Sequence, residues 1–236
     1  MPTQVAVAST VTVRVARSEQ DRARVFALRA RARTDAVAAV SDAYDRQPNA
    51  TLLLAESRFD GEALGTLRIL AGENGPMMID AVVALPESMR HQSIAEGSRL
   101  VVRESGDPTL VRRMLWKAFH RYCLAAQVQT MLVAARDAAA REYAALGFTD
   151  VFPDAPLVAL RGRDVATHRL MRLGVFEAHE AMRHSRHPLR EFFFVERHPE
   201  IDLLGPVGAA SRHKAMPRLV PEQLRAMAEL SELAIV

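Results

Sequence analysis

The residues in this chain best suited to chemistry are carboxylates and arginines spread over four short stretches. The first is Ile94-Ala95-Glu96-Gly97-Ser98-Arg99-Leu100-Val101-Val102, an apolar run holding one acid and one base. Its composition predicts a central strand, and strand alternation puts Glu96, Ser98 and Leu100 on one face and Arg99 and Val101 on the other. An acid on such a strand is paired, solvated in a cleft, or used as a proton acceptor. The stretch taken alone favours a structural Glu–Arg pair. The second stretch, Asp42-Ala43-Tyr44-Asp45, spaces two carboxylates three residues apart in a polar loop, as turns with solvated acids also do. The third puts Arg68 inside an apolar strand, either facing an edge or serving as partner to a carboxylate in a cleft. The fourth is the helical stretch around Arg29, where arginines interleave with apolar residues as on a solvated helix face. Cys123, the single cysteine, lies in a helical pattern and reads as a small buried apolar residue, not a nucleophile. His179, His184 and His187, with Glu177 and Glu180, have no recognised ligand spacing, so no metal is expected.

These residues need a scaffold, and periodicity supplies one. Val11–Val15 alternates as a first strand, and Ser18 with Asp21 forms a capping box for the helix carrying Leu28 and Arg29. Thr51–Glu56 and Glu62–Ala71 read as strands joined by the hairpin turn Phe59-Asp60-Gly61. Gly72–Met89 reads as loop. After the Glu96 strand, Asp107 and Pro108 start a helix whose apolar face is Val111, Met114, Leu115, Ala118, Phe119 and Tyr122. The opposite face carries Arg112, Arg113, Lys117, His120 and Arg121. Thr130–Ala135 is a buried strand, Asp137 caps a short helix stopped by Gly147, and Pro156–Leu160 is a further strand. Thr167–His187 reads as helical, Arg190–Arg197 as a strand around Phe192–Val195 (core or interface rather than an acyl tunnel), and Pro221–Leu233 as an amphipathic helix. The expected architecture is α/β: a mixed, mostly antiparallel central sheet flanked by helices. A main domain spans residues 1–165, and a mostly helical C-terminal extension spans 166–236.

At 236 residues with 49% hydrophobic and 25% charged residues, the composition is that of a globular protein with a sizeable core. Net charge is +3, with Arg far outnumbering Lys, which weakly favours an acidic partner. The arginines are dispersed and no helix-turn-helix pair is evident, so nucleic acid is not an expected partner. No apolar stretch reaches membrane-spanning length, and no basic N-terminal region precedes an apolar segment, so a cytoplasmic protein is expected.

The element order with these residues resembles the GCN5-related N-acetyltransferase superfamily. More closely, it is similar to the acyl-homoserine-lactone (autoinducer) synthases and the long-chain N-acyl amino acid synthases. Leu28-Arg29, Asp42-Ala43-Tyr44-Asp45, Gly65-Thr66-Leu67-Arg68 and Glu96-Gly97-Ser98-Arg99 match motifs of that branch in order. His120-Arg121-Tyr122, Val128-Gln129-Thr130 and Leu146-Gly147-Phe148 match its later helix, strand and turn. The likeness covers about residues 11–165. Leu100 stands where the lactone synthases usually have Phe, and their Trp after the Leu-Arg helix is absent, the only Trp being Trp116. Both departures point away from S-adenosylmethionine as acceptor.

The resemblance implies transfer of a medium or long acyl group to the amine of an amino acid or related metabolite. Glu96 would be the base, and Arg29, Asp42, Asp45, Arg68, Ser98 and Arg99 the substrate-binding set, the acids and arginines linked in one charge cluster. Arg103-Glu104-Ser105-Gly106-Asp107, where relatives using coenzyme A carry a glycine-rich basic loop, has one glycine and two acids. That favours acyl carrier protein over acyl-CoA as donor. Arg112, Arg113, Lys117 and Arg121 would dock the carrier, although a plain solvated face explains them equally. No bound cofactor is expected, and a homodimer is left open. The alternatives are a homoserine-lactone synthase using S-adenosylmethionine and a non-enzymatic module that binds an acyl or amino acid ligand.

Overall fold

A computed structural model describes residues 9–32, 40–159 and 168–204. The strands are β1 (Val11–Val15), β2 (Ala50–Ser57), β3 (Ala63–Ala71), β4 (Ile94–Val102), β5 (Thr130–Ala135), β6 (Thr149–Asp150), β7 (Leu157–Val158), β8 (His168–Gly174) and β9 (Ile201–Asp202). The helices are α1 (Glu19–Arg31), α2 (Pro108–Ala125), α3 (Asp137–Ala144) and α4 (Ala178–His184). One sheet runs in the order β6-β8-β5-β4-β3-β2-β1-β9, with β7 beside β8. Among the described residues, β4–β5 and β1–β9 are the parallel pairs, and the rest are antiparallel. This is the expected mixed, mostly antiparallel sheet with helices on both faces.

The two faces differ in use. On one, α2 packs Val111, Met114, Leu115, Ala118 and Phe119 against Leu53, Leu67, Ile69 and Ala95, all buried. The approach is close: a Cβ on Gly97 would meet Phe119 at 2.7 Å. Trp116 sets its ring edge-on to Tyr143 and Phe148, at 5.0 and 5.6 Å between centroids, joining α2 to α3 and the turn behind it. Burying each such aromatic side chain stabilises the fold by about 1.5–3 kcal/mol. On the other face α1 packs Val25 and Leu28 over Leu52 and Leu54. Ser18 starts α1, accepting from the Asp21 N–H at 3.0 Å while Asp21 receives the Ser18 N–H. Beside α1, the chain from residue 72 to 92 forms three short 3-10 turns that bring Met77, Ile79 and Met89 onto Leu70, Ile94, Leu132 and Leu170.

Four sequence expectations need correction. His168–Gly174 is not helical but a strand pairing antiparallel with β5 from Thr130↔Gly174 to Ala135↔Arg169. Its adjacent residues Leu170 and Met171 are both buried, as expected of a strand covered on both faces, where apolar runs carry no alternation. The extension therefore shares the sheet of the first 165 residues, and its described helix is only Ala178–His184. Glu191–Val195 is a single π-helical turn rather than a strand. Asp137 is the first residue of α3, and Arg136 precedes it without a side-chain cap. Leu160 and Pro221–Leu233 lie outside the described residues. Among the described residues no helix is long and apolar enough to cross a membrane.

Candidate active site

Glu96 sits in the middle of the sheet, on β4 between β3 and β5, opposite Leu70 and Leu132. It is 5% exposed. Its carboxylate accepts a hydrogen bond of 3.1 Å from the Ile79 backbone N–H. Burial is the main influence on its acidity and pushes it up to about 7. The Ile79 hydrogen bond and the Arg68 charge pull the other way. A carboxyl poised near neutrality can accept a proton and give it back at physiological pH.

The acids and arginines nominated from the sequence do converge, on the same face as Glu96. Arg68 is fully buried; one terminal nitrogen donates to Asp42 at 2.5 Å and to Asp45 at 3.1 Å, and its Nε donates to the Ser98 Oγ at 3.0 Å. Arg29 donates to both Asp45 oxygens at 2.9 Å, and Arg99 to the other Asp42 oxygen at 2.7 Å. Asp42 also caps the 3-10 turn Ala43–Arg46, accepting from the Tyr44 and Asp45 N–H groups. Burial opposes its ionisation, but the hydrogen bonds from Arg68 and Arg99 prevail and hold the Asp42 carboxyl below the usual range. Three arginines facing two carboxylates leave the cluster formally cationic. The Nε and one terminal nitrogen of Arg29 are buried with no hydrogen-bond partner among the described residues.

Arg99 reaches this cluster against the expected alternation. Between Arg68↔Ser98 and Thr66↔Val101 the β3–β4 register shifts, so β4 fits Arg99 and Leu100 opposite Leu67 alone. Arg99 takes a left-handed backbone (φ 55°), and its side chain turns onto the Glu96 face. Just beyond Glu96 the sheet also opens. The β4–β5 ladder ends at Gly97↔Val133, while β4 continues with β3 to Val102 and β5 with β8 to Ala135. The parting of β4 and β5 leaves backbone groups on both strands without ladder partners in each other.

On the other side of Glu96, next to Ile94, is a cleft of ≈ 490 Å³ lined by Met77, Val83, Leu85, Met89 and Ile94, with Asp80 among its polar groups. Sequence reading missed this wall, because glycines and prolines mark residues 72–89 as loop. The signal was present in Met77-Met78-Ile79 and Val82-Val83, apolar pairs and triplets unusual for a solvated loop.

The expected basic docking face is not what the sequence suggested. Lys117 is 1% exposed and donates to the Phe192 and Glu196 carbonyls at 2.5 and 2.7 Å, with the His198 Nδ1 at 2.8 Å. Arg121 donates to the His198 carbonyl at 2.8 Å. His120 is buried as well, its Nε2 2.9 Å from the Val175 carbonyl. The segment 191–202 covers this side of α2, so Lys117 and Arg121 hold the chain to itself. Arg112 and Arg113 are half-buried, Arg112 lying 3.3 Å from Glu142. Cys123 is buried, and burial pushes its thiol up. Glu180 pairs with Arg183 and His184, and among the described residues no three metal-binding side chains come together.

A family model described as N-acyl amino acid synthase FeeM matches residues 22–170. Among solved structures, FeeM from uncultured soil microbes shares 18% identity, covering 77% of this chain and 97% of its own, with a TM-score of 0.61. A CoA-dependent acyl-homoserine lactone synthase, BjaI, shares 17% identity over 92% of this chain and 99% of its own, with a TM-score of 0.56. The acyl-homoserine lactone synthase LasI shares 20% over 70% and 88%, with a TM-score of 0.50. No curated protein matches the chain. The structural likenesses establish an N-acyltransferase fold.

Proposed function

The chain belongs to the FeeM family of N-acyl amino acid synthases, an acyltransferase family, and from that premise we propose that it joins a medium or long acyl group from acyl carrier protein to the amine of an amino acid. The observation that carries this reading is the order of three alternate residues on one face of β4. Ile94 borders the apolar cleft, Glu96 is the buried carboxyl, and Ser98 touches the arginine–carboxylate cluster through Arg68. Successive positions lie about 7 Å apart along a strand. An N-acyl amino acid has the same order: hydrocarbon tail, amide, carboxylate.

In this reading the acceptor's carboxylate is held by the cationic cluster, with the buried Arg29 N–H groups that have no partner among the described residues in favour of an anion there. Glu96 takes a proton from the ammonium, directly or through a water, and frees the nitrogen lone pair. The amine attacks the thioester carbonyl, forming the C–N bond and pushing the carbonyl electrons onto oxygen. Backbone N–H groups in the parting of β4 and β5 stabilise that oxyanion. Its collapse breaks the C–S bond; the nitrogen gives up its second proton to become the amide, the departing carrier thiolate takes that proton, and Glu96 returns its own to water. The cleft beside Ile94 receives the acyl tail.

Carrier protein as donor is supported by the start of α2. Asp107 occupies the helix N-terminus and accepts from the Leu110 N–H at 2.9 Å, and Glu104 is exposed beside it. Two carboxylates there repel a pyrophosphate. The testing experiment incubates the purified chain with acyl carrier protein loaded with a C12 chain and a mixture of amino acids, followed by mass spectrometry. An N-acyl amino acid formed by the native chain and absent with Glu96→Gln supports the reading. Equal product from both discards Glu96 as the base, and product from acyl-CoA alone discards the carrier.

A further inference from the structure

We propose that Asn49 is a positioning residue for the general base: it anchors the turn whose Ile79 N–H meets the Glu96 carboxylate. The inference rests on the reading of Glu96 as the base. Asn49 precedes β2, is buried, and is not among the residues that line the cleft. Its side-chain amide donates to the Ala71 and Pro76 carbonyls, both at 3.1 Å, and its backbone carbonyl accepts from the Ala71 N–H at 3.1 Å. Three hydrogen bonds thus tie one side chain and its backbone to both ends of the 71–76 connection.

That connection leads directly into the wall over Glu96. The Met77 N–H donates to Asp80 at 2.8 Å and closes the next turn, and within that turn the Ile79 N–H points to Glu96 at 3.1 Å. The route from Asn49 to Glu96 is therefore Pro76, Met77–Asp80, Ile79. Each link is a hydrogen bond or a peptide neighbour. Gly75 shows how tightly the anchor is set: a Cβ there would lie 2.8 Å from the Asn49 Cγ. Its backbone is extended, so the contact with Asn49 is what an alanine would meet.

The charged groups around Glu96 are Arg68 on β3, which favours its ionised form, and Asp80 on the turn, which opposes it. Its neighbour on β5 is Leu132, which carries no charge. If the turn drifts, the carboxylate loses the Ile79 N–H while Arg68 stays in place. A hydrogen bond to the ionised form is then missing, and ionisation becomes harder.

The test is a carbon-13 NMR titration of the full chain labelled at glutamate Cδ, with the Glu96 signal assigned by its disappearance in Glu96→Gln. The variants are Asn49→Ala, Asn49→Leu, which keeps the branched heavy-atom shape without the amide, and Gly75→Ala. All three are expected to move the Glu96 titration upward by about one pH unit. The acidic limb of kcat/KM should move with it, and the double variant Asn49→Ala with Gly75→Ala should add little to either single. A Glu96 titration unmoved in the variants that fold, with only thermal stability lowered, overturns the proposal. Gly75→Ala decides alone if both Asn49 variants fail to fold. Because NMR follows the carboxyl without turnover, the result stands apart from the outcome of Glu96→Gln kinetics, which tests the base assignment.

Discussion

Arg99 donates to Asp42 at 2.7 Å because the bulge in β4 turns it onto the face of Glu96, whereas Arg68 reaches the same carboxylate from inside the sheet. The two contacts differ in burial, and so should their contributions. Arg68 is fully buried, and Arg99 and Asp42 are each about a fifth exposed. Arg99→Ala should lower folding stability by about 1 kcal/mol, the range of partly exposed pairs. Arg68→Ala leaves Asp42 with Arg99 and Asp45 with Arg29 but removes the buried cation that bridges the two carboxylates, and should lower it by about 3 kcal/mol. Urea unfolding of both variants measures the difference, and equal losses would contradict the central place of Arg68.

Glu96 should impose opposite pH dependences on rate and stability. In its proposed role as the base it must be ionised, so kcat/KM is expected to rise about tenfold per pH unit below 7 and level off above it. The folded chain holds the Glu96 proton more tightly than the unfolded chain, whose carboxyl titrates near 4.5. Its contribution to stability is therefore complete below 4.5 and is lost as pH rises to 7, by about 3 kcal/mol. Glu96→Gln should remove turnover, flatten that slope and be more stable than the native chain at pH 8. Chemical denaturation at pH 5 and pH 8 checks the sign, and a variant less stable at pH 8 refutes it.

Much of this arrangement was legible in the sequence, where local rules decide. Val11–Val15, the Ser18–Asp21 cap and the helix start at Asp107-Pro108 each follow from neighbours within four residues. The acids and arginines were identified from motifs. Arg99's place among them depends on the register shift in β4, which no side-chain identity announces. Lys117 departs from its expected place for a similar reason. Its acceptors lie 75 to 81 residues away, so the helix pattern showed a basic face and could not show what covers it. Leu170 and Met171, buried on opposite faces of β8, gave no alternation to distinguish strand from helix.

The misreading of Lys117 separates two roles experimentally. Lys117→Ala removes the partner of the Phe192 and Glu196 carbonyls and should lower stability by about 3 kcal/mol. With acyl carrier protein as the proposed donor, its KM for the carrier should match the native value at temperatures where it is folded. Arg112→Glu with Arg113→Glu should do the reverse, raising that KM about tenfold with stability nearly unchanged. Steady-state kinetics beside thermal unfolding reads both. A raised carrier KM in folded Lys117→Ala would restore that residue to a docking role.

If the cleft beside Ile94 receives the acyl tail as proposed, acyl chain length becomes a property of identifiable side chains. Its wall is Met77, Val83, Leu85 and Met89, with Glu96 two residues along β4 from Ile94. On that proposal the tail runs from Glu96 past Ile94, so filling the cleft should shorten the chain that fits without moving the reacting carbonyl. Val83 is half-buried and sits on the 72–92 connection, away from the sheet, where a larger side chain leaves the strand ladder intact. Val83→Phe should lower turnover of C14 and longer chains by about tenfold or more relative to C8, at roughly 1–3 kcal/mol of lost accommodation. Competition among carrier-bound chains of C6 to C16, with products resolved by mass spectrometry, gives the profile directly. A profile unchanged in length but altered in acceptor would assign the cleft to the amino acid side chain instead.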